Sequence, residues 1–162
     1  QESGKRSGTE NVPAIAGFGL AAEMSEHGRC ENSASMAQMR QRLISQLTAS
    51  LDDIVINSPE TAGENAGECC SSLLNISFLG TRGEVLLHTL EQDGIYVSTG
   101  SACSSNKKGQ SHVLKAMGLK DKEIEGTLRF SFGRMNSIEE IDIAADKVAA
   151  AVKRFRRLGS FR

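Results

Sequence analysis

A single cysteine, Cys103, lies in the middle of the stretch STGSACSS at residues 98–105. Structural cysteines are usually buried among apolar side chains, whereas the neighbours of Cys103 are serine, glycine and alanine. Lys107 and Lys108 follow closely and favour the thiolate, which is the nucleophilic form. The composition therefore indicates an exposed, reactive thiol, with an incidental loop cysteine as the alternative. It does not indicate which reaction such a thiol performs.

Arg129 lies in TLRFSFGR at residues 127–134, where apolar residues alternate with polar ones. A period of two predicts a strand with Arg129 on the face away from the core. An arginine in that position is ordinarily solvated. Held on a rigid strand, it is also suited to bind a carboxylate through two parallel hydrogen bonds. Near the N-terminus, KRSGT at residues 5–9 offers hydroxyl groups and accessible backbone to a phosphate.

Two further patterns favour no ligand. GFGLAA at residues 17–22 fits a dinucleotide-binding fingerprint, but the residues before it predict a helix where the fingerprint requires a strand. Cys69 and Cys70, taken with His88 or His112, match no common zinc spacing. We therefore predict neither a nucleotide site nor a resident metal site.

The length and composition predict one globular domain. The chain has 162 residues, 39% of them hydrophobic, and a formal net charge of −1, which gives no field to attract nucleic acid or an anionic membrane. It has no apolar run as long as the roughly 18 residues of a membrane span. Its 4 cysteines show no disulfide spacing, so we expect free thiols and a cytoplasmic location.

The hydrophobic periodicity predicts an α+β fold in which helices cover one face of a small antiparallel or mixed sheet of three or four strands. A capping box at Ser137 and Glu140 marks the start of the last helix. Helices are predicted over residues 11–27, 34–51, 83–94, 111–118 and from Ser137 onward, and strands over residues 53–57, 73–79, 95–99 and 127–134.

Four segments together resemble one family in order and spacing: KRSGTENVPAIAGFG, VSTGSACSS, SHVLKAMGL and TLRFSFGR. The chain resembles, from Gly4 to Phe155, the C-terminal part of cysteine desulfurases, pyridoxal-phosphate enzymes of the fold-type I aminotransferase superfamily, class V. The resemblance implies that residues 1–13 are an edge segment of a large cofactor-binding domain. Residues 14–162 are then the small C-terminal domain, which carries the catalytic cysteine loop at residues 98–110.

The resemblance also implies roles for three residues. Cys103 aligns with the nucleophile that takes sulfur from L-cysteine as a persulfide and leaves L-alanine, and its thiolate is able to ligate an iron–sulfur cluster transiently. Arg129 aligns with the arginine that binds the substrate carboxylate. Thr9 aligns with the threonine that contacts the cofactor phosphate of the other subunit in a homodimer.

Three residues of the family lie upstream of the resembling segment. They are the lysine that binds the cofactor, the histidine that stacks on the pyridoxal ring and the aspartate that pairs with the ring nitrogen. We therefore expect that this chain alone binds no pyridoxal phosphate and does not turn over cysteine. The resemblance implies a sulfur-acceptor protein as partner, either an iron–sulfur scaffold or a tRNA-thiolation enzyme, and no direct contact with nucleic acid or membrane. Two alternatives stay open: a cofactor-free carrier of sulfur or persulfide, and a relative of selenocysteine lyase.

Overall fold

The computed structural model describes Gly4 and residues 7–59, 69–99 and 111–159. Cys103 and most of the expected loop at residues 98–110 lie outside the described residues. The chain divides into two compact units, Gln1–Asn32 and Ser33–Arg162. The expected domain boundary after residue 13 stays a prediction.

Helix α1, Val12–His27, makes up most of the described part of the first unit. The Asn11 side chain caps it by accepting a hydrogen bond from the Ala14 N–H at 3.2 Å, and a proline sits in the first turn. The helix predicted over residues 11–27 is confirmed. None of its residues is buried, and Phe18 is 78% exposed.

Helix α2, Arg29–Ser50, begins at Arg29 rather than at residue 34 as predicted. Its first residues, RCENS, are polar and carry no hydrophobic period, so the pattern was too weak to extend the helix toward the N-terminus. The backbone continues helically there, since the Asn32 N–H donates to the Gly28 carbonyl at 2.9 Å. Further along, the helix buries Met39, Arg40, Leu43 and Leu47.

Three short strands form one antiparallel sheet, in the order β1, β2, β3. They are β1, Ile54–Ile56, β2, Leu73–Phe78, and β3, Thr127–Ser131. The central strand β2 buries its alternate apolar side chains completely, with Leu74, Ile76 and Phe78 at 0% exposure. The predicted α+β sheet of three or four strands is confirmed.

Four helices follow β2 in the described chain: α3, Gly83–Gln92, α4, His112–Ala116, α5, Asp121–Glu125, and α6, Ile138–Arg157. Helix α5 was not predicted, because a helix of 5 residues is too short to show a period. The prediction of a strand over residues 95–99 was wrong. Of its residues only Ser98 pairs, in an isolated antiparallel bridge with Arg129.

The hydrophobic core of the second unit lies between the sheet and helices α2, α3 and α6. It contains Leu43 and Leu47 from α2, Leu86 and Leu90 from α3, and the apolar stripe of α6. That stripe includes Ile141, Ala145, Val148 and Val152. Within the described residues, no helix is long and apolar enough to cross a membrane.

Arg156 anchors the C-terminal end of α6 to the sheet. Its Nε donates to the Leu79 carbonyl at 3.0 Å, its Nη1 to the Asp52 carbonyl at 2.7 Å and its Nη2 to the Asp53 carbonyl at 2.9 Å. These carbonyls lie just before β1 and just after β2. One guanidinium therefore ties the C-terminal end of α6 to the segment before β1 and to the segment after β2.

The predicted capping box begins α6. The Ser137 Oγ accepts from the Glu140 N–H at 3.3 Å, and the Glu140 carboxylate accepts from the Ser137 N–H at 3.2 Å. Two otherwise unpaired amide groups at the helix start are thus satisfied.

Replacing the capping side chain tests this contribution. We expect Ser137→Ala to lower the free energy of unfolding by about 1 kcal/mol, since it removes the acceptor for the Glu140 N–H. Urea unfolding followed by circular dichroism measures the change. Ser45→Ala is the matched control, because the Ser45 hydroxyl bonds only back to the Gln41 carbonyl inside α2. An equal loss in both variants would contradict a capping role.

Candidate functional site

Arg129 lies at the middle of β3, between the buried side chains of Leu128 and Phe130. It stands opposite Asn75 of β2, and its own side chain is half-buried. The predicted alternation, which turns Arg129 away from the core, is confirmed. A rigid, doubly flanked strand therefore carries the candidate carboxylate-binding residue.

The Arg129 side chain has an unsatisfied donor. Its Nε is buried, and no described residue accepts a hydrogen bond from it. Buried donors are nearly always paired, because an unpaired one loses its hydration without compensation. An oxygen of a bound carboxylate fits this donor, and a guanidinium is built to offer Nε and one Nη together.

The chain that leads into the cysteine segment runs directly beside Arg129. The Arg129 N–H donates to the Ser98 carbonyl at 2.6 Å, and the Ser98 N–H donates to the Arg129 carbonyl at 3.1 Å. Ser98 is the first residue of the STGSACSS stretch. The structure thus brings the beginning of that stretch next to Arg129, while Cys103 itself lies outside the described residues.

Gly83, the first residue of α3, lets the helix approach the start of β3 closely. A Cβ atom at Gly83 would lie 2.5 Å from the Thr127 carbonyl oxygen and 3.1 Å from the Thr99 Cγ2. Such distances leave no room for a side chain. Gly83 carries no signal in the sequence, because a glycine at a helix start has no distinctive pattern and its close neighbours are far away in sequence.

Buried hydroxyl groups fix the start of β3 on the face of the sheet that also carries Arg129. The Thr127 and Ser77 hydroxyls lie 3.0 Å apart, and Thr127 also donates to the Glu123 carbonyl at 2.6 Å. Asn57 extends the network by donating to the Ser77 Oγ at 2.8 Å. The Ser77 and Thr127 hydroxyls both have partners, so the network stiffens the strand that carries Arg129.

Thr9 belongs to the first unit and is exposed, in the segment before α1. The preceding Gly8 is also exposed and has φ +106°, a conformation that favours glycine. A hydroxyl beside an accessible backbone suits a phosphate group. The proposed role of Thr9 stays a prediction, as do those of Cys103 and Arg129. Among the described residues, no group of three or more His, Cys, Asp or Glu side chains is arranged to hold a metal ion.

A methyl group at Gly83 tests the packing beside Arg129. We expect Gly83→Ala to lower the free energy of unfolding by about 1–3 kcal/mol, because the Thr127 carbonyl cannot move away without disturbing β3. Gly133→Ala is the control, since its Cβ would meet nothing closer than the Asn136 Oδ1 at 3.8 Å. Denaturant unfolding compares the two variants. Equal free energies of unfolding for the two variants would show that the packing at Gly83 leaves room for a methyl group.

Comparison with known proteins places the chain in a family. Residues 1–143 match the family described as aminotransferase class-V. The chain is 35% identical to cysteine desulfurase IscS of Clostridium botulinum (strain Hall), over 98% of this chain and 39% of that protein. It is 37% identical to cysteine desulfurase IscS 1 of Archaeoglobus fulgidus, over 98% of this chain and 40% of that protein.

A solved structure described as a NifS-like protein agrees with these matches. It superposes with a TM-score of 0.76 at 31% identity, and the match covers 95% of this chain and 37% of that one. The chain therefore spans about two fifths of the length of the curated relatives. The fold and the sequence lead to the same conclusion: the chain belongs to the aminotransferase class-V family.

Proposed function

We propose that the chain is part of a pyridoxal-phosphate-dependent cysteine desulfurase, which converts L-cysteine to L-alanine and transfers the sulfur to Cys103. The observation that carries the proposal is the position of Arg129. Its buried, unpartnered Nε lies on the strand that pairs with Ser98, where the chain enters the stretch containing Cys103. Similarity to cysteine desulfurases over 98% of the chain supports it.

Arg129 binds the carboxylate of the substrate cysteine in this proposal. Its backbone N–H and carbonyl both bond to Ser98, and β3 pairs with β2 on its other side, so the guanidinium starts from a fixed base. The carboxylate satisfies the buried Nε and is gripped by two parallel hydrogen bonds. Substrate binding therefore relieves an unpaired donor and orients the amino acid at the same time.

Cys103 acts as the nucleophile. Its thiolate attacks the sulfur of the bound cysteine, so that a sulfur–sulfur bond forms as the bond between Cβ and sulfur breaks. The electron pair of the broken bond stays with the carbon skeleton, which takes up a proton and leaves as alanine. One cysteine and one thiol thus give one alanine and one persulfide, without an external oxidant or reductant.

Pyridoxal phosphate, when bound, supplies an electron sink for the carbon skeleton. The residues of this chain fit one end of that cofactor, since the exposed segment of Gly8 and Thr9 suits its phosphate. The resemblance places the lysine that holds the cofactor outside this chain. We therefore propose that cofactor binding and turnover need the remainder of the protein, and that Thr9 serves the other subunit of a homodimer.

The persulfide on Cys103 passes its sulfur to an acceptor protein, and iron–sulfur assembly or tRNA thiolation would use such sulfur. We place the enzyme in the cytoplasm on the expectation drawn from its composition. A cofactor-free persulfide carrier and a selenocysteine-specific relative are the competing functions, and no feature of the described residues favours either of them.

Arg129→Gln tests the carboxylate-binding role in the full-length protein. We expect kcat/KM for L-cysteine to fall at least about a hundredfold, because two charge-assisted hydrogen bonds of about 1.5–3 kcal/mol each are lost. Arg157→Gln is the matched control, since Arg157 is exposed at the end of α6. Alanine formation measures both. Equal kcat/KM in the two variants would remove Arg129 from the site.

Cys103→Ser tests the nucleophile in the same protein. We expect alanine formation in the presence of a thiol acceptor to fall at least about a thousandfold. We also expect the variant to form no protein persulfide when the substrate cysteine carries a sulfur label. Cys30→Ser is the control, because Cys30 is an exposed cysteine outside the stretch. Wild-type alanine formation by Cys103→Ser would contradict the assignment. Exclusive turnover of selenocysteine by the unaltered protein would favour the lyase-like alternative.

A further inference from the structure

A row of polar side chains crosses the face of the sheet that carries Arg129. Asn75 of β2 stands opposite Arg129, and Ser98 pairs with Arg129 from the other side. Asn57 extends the row beyond Asn75, because the Asn57 N–H donates to the Asn75 carbonyl at 2.9 Å and continues the register of β1 with β2. Residues directly opposite one another share a face of the sheet. The row therefore contains four half-buried residues: Asn57, Asn75, Arg129 and Ser98.

Asn75 and Arg129 are close neighbours, because neither residue bonds to the other through its backbone. The N–H and the carbonyl of Arg129 both bond to Ser98. The backbone of Asn75 bonds in the opposite direction, since its carbonyl accepts from the Asn57 N–H and its N–H donates to the Ser58 Oγ at 2.8 Å. Asn75 and Arg129 thus form a non-hydrogen-bonded pair. In such pairs the facing Cα atoms are about 4.5 Å apart and the side chains approach most closely.

A chain of hydrogen bonds determines which atom of the Asn75 amide is the oxygen. Thr127 donates its only hydroxyl proton to the Glu123 carbonyl at 2.6 Å, so the Ser77 hydroxyl, 3.0 Å away, has to donate to Thr127. The Ser77 Oγ then accepts from the Asn57 Nδ2 at 2.8 Å. The same Asn57 Nδ2 lies 2.7 Å from the Asn75 Oδ1. Because an amide nitrogen only donates, Asn75 presents its oxygen to Asn57.

The Asn75 Nδ2 is therefore the end of the amide that is left to bind something else. No described residue accepts a hydrogen bond from it. Its neighbour in the row, Arg129, has a buried Nε that likewise lacks a described acceptor. Two such donors on adjacent residues suit one ligand group that has two acceptor oxygens and no proton to donate, which is a carboxylate.

We propose that Asn75 is a second carboxylate-binding residue, whose amide N–H donates to the substrate carboxylate that Arg129 holds. The inference rests on the proposed function, in which that carboxylate belongs to L-cysteine. Arg129 supplies the charge, and Asn75 adds a neutral donor from the neighbouring strand. A substrate with a neutral amide in this position would bring its own NH2 group to face these donors, so the pair selects for a carboxylate.

Asn75→Asp tests the inference in the full-length holoenzyme. The variant keeps an oxygen for Asn57 but replaces the donor with an anion beside Arg129. We expect KM for L-cysteine to rise at least about tenfold and kcat to change less than about twofold, because binding is weakened without a change in the chemistry. Gln41→Glu is the matched control, since it makes the same exchange at an exposed position of α2. An unchanged KM in Asn75→Asp would overturn the inference.

Binding of L-alanine and L-alaninamide, measured by calorimetry on the same proteins, separates ligand binding from a structural role. We expect Asn75→Asp to weaken L-alanine binding at least about tenfold and L-alaninamide binding less than about twofold. Equal weakening of both compounds would overturn the inference. If Asn75→Asp does not fold, Asn75→Ala decides by the same comparison, because it also lacks the donor.

The calorimetry also separates the failure of this inference from that of the proposed function. Loss of L-alanine binding in Arg129→Gln, with full binding in both Asn75 variants, would overturn the inference alone. Binding of L-alanine that depends on Asn75, in an unaltered protein that forms no alanine from L-cysteine, would support the inference and overturn the proposed function. No binding of L-alanine by the unaltered protein would overturn both.

Discussion

The antiparallel pairing of β2 with β3 is the interaction on which the described second unit depends. It sets Leu74 opposite Phe130 and Asn75 opposite Arg129, with Leu74, Ile76, Phe78, Leu128 and Phe130 all buried on the core face. A shift by one residue would carry Arg129 into the core and Phe130 out of it, so the buried side chains fix the register strongly. The core thereby determines which face Arg129 occupies.

Close backbone packing around the start of β3 limits how that strand can move. Gly83 admits α3 against the Thr127 carbonyl, and a Cβ at Gly126 would collide with the Phe78 carbonyl. The Phe78 N–H donates to the Gly126 carbonyl at 2.9 Å. Together with the buried hydroxyls of Ser77 and Thr127, these contacts give Arg129 a stiff base, which its proposed role in orienting a small substrate requires.

Three arginines show how differently one side chain is used in this fold. All three guanidinium nitrogens of Arg156 donate to backbone carbonyls, so this arginine has a structural role. Arg129 and Arg40 each keep a buried Nε that no described residue satisfies. Because a buried donor without an acceptor is costly, such arginines mark the places where an anion is most favourable. For Arg129 the proposed anion is the carboxylate of the substrate.

The sequence by itself determined the features that depend on neighbours along the chain. Helical periods predicted most of α2, α3 and α6, and an apolar, alanine-rich segment predicted α1. The alternation around Arg129 predicted its face, and Ser137 with Glu140 predicted the capping box. The expectation that Cys103 is a reactive thiol and the family resemblance also came from local patterns, and Cys103 lies outside the described residues. These signals are readable because side-chain spacing and caps act within a few residues.

Only the tertiary structure decided which distant residues meet. The pairing of Ser98 with Arg129, the tight contact at Gly83 and the burial of Arg40 all join segments far apart in sequence. The segment 95–99, expected to be a strand, forms only a single bridge. Strand pairing depends on packing against the neighbouring strand as well as on β propensity. Long-range burial and pairing have no local period, and for that reason the sequence pattern did not reveal them.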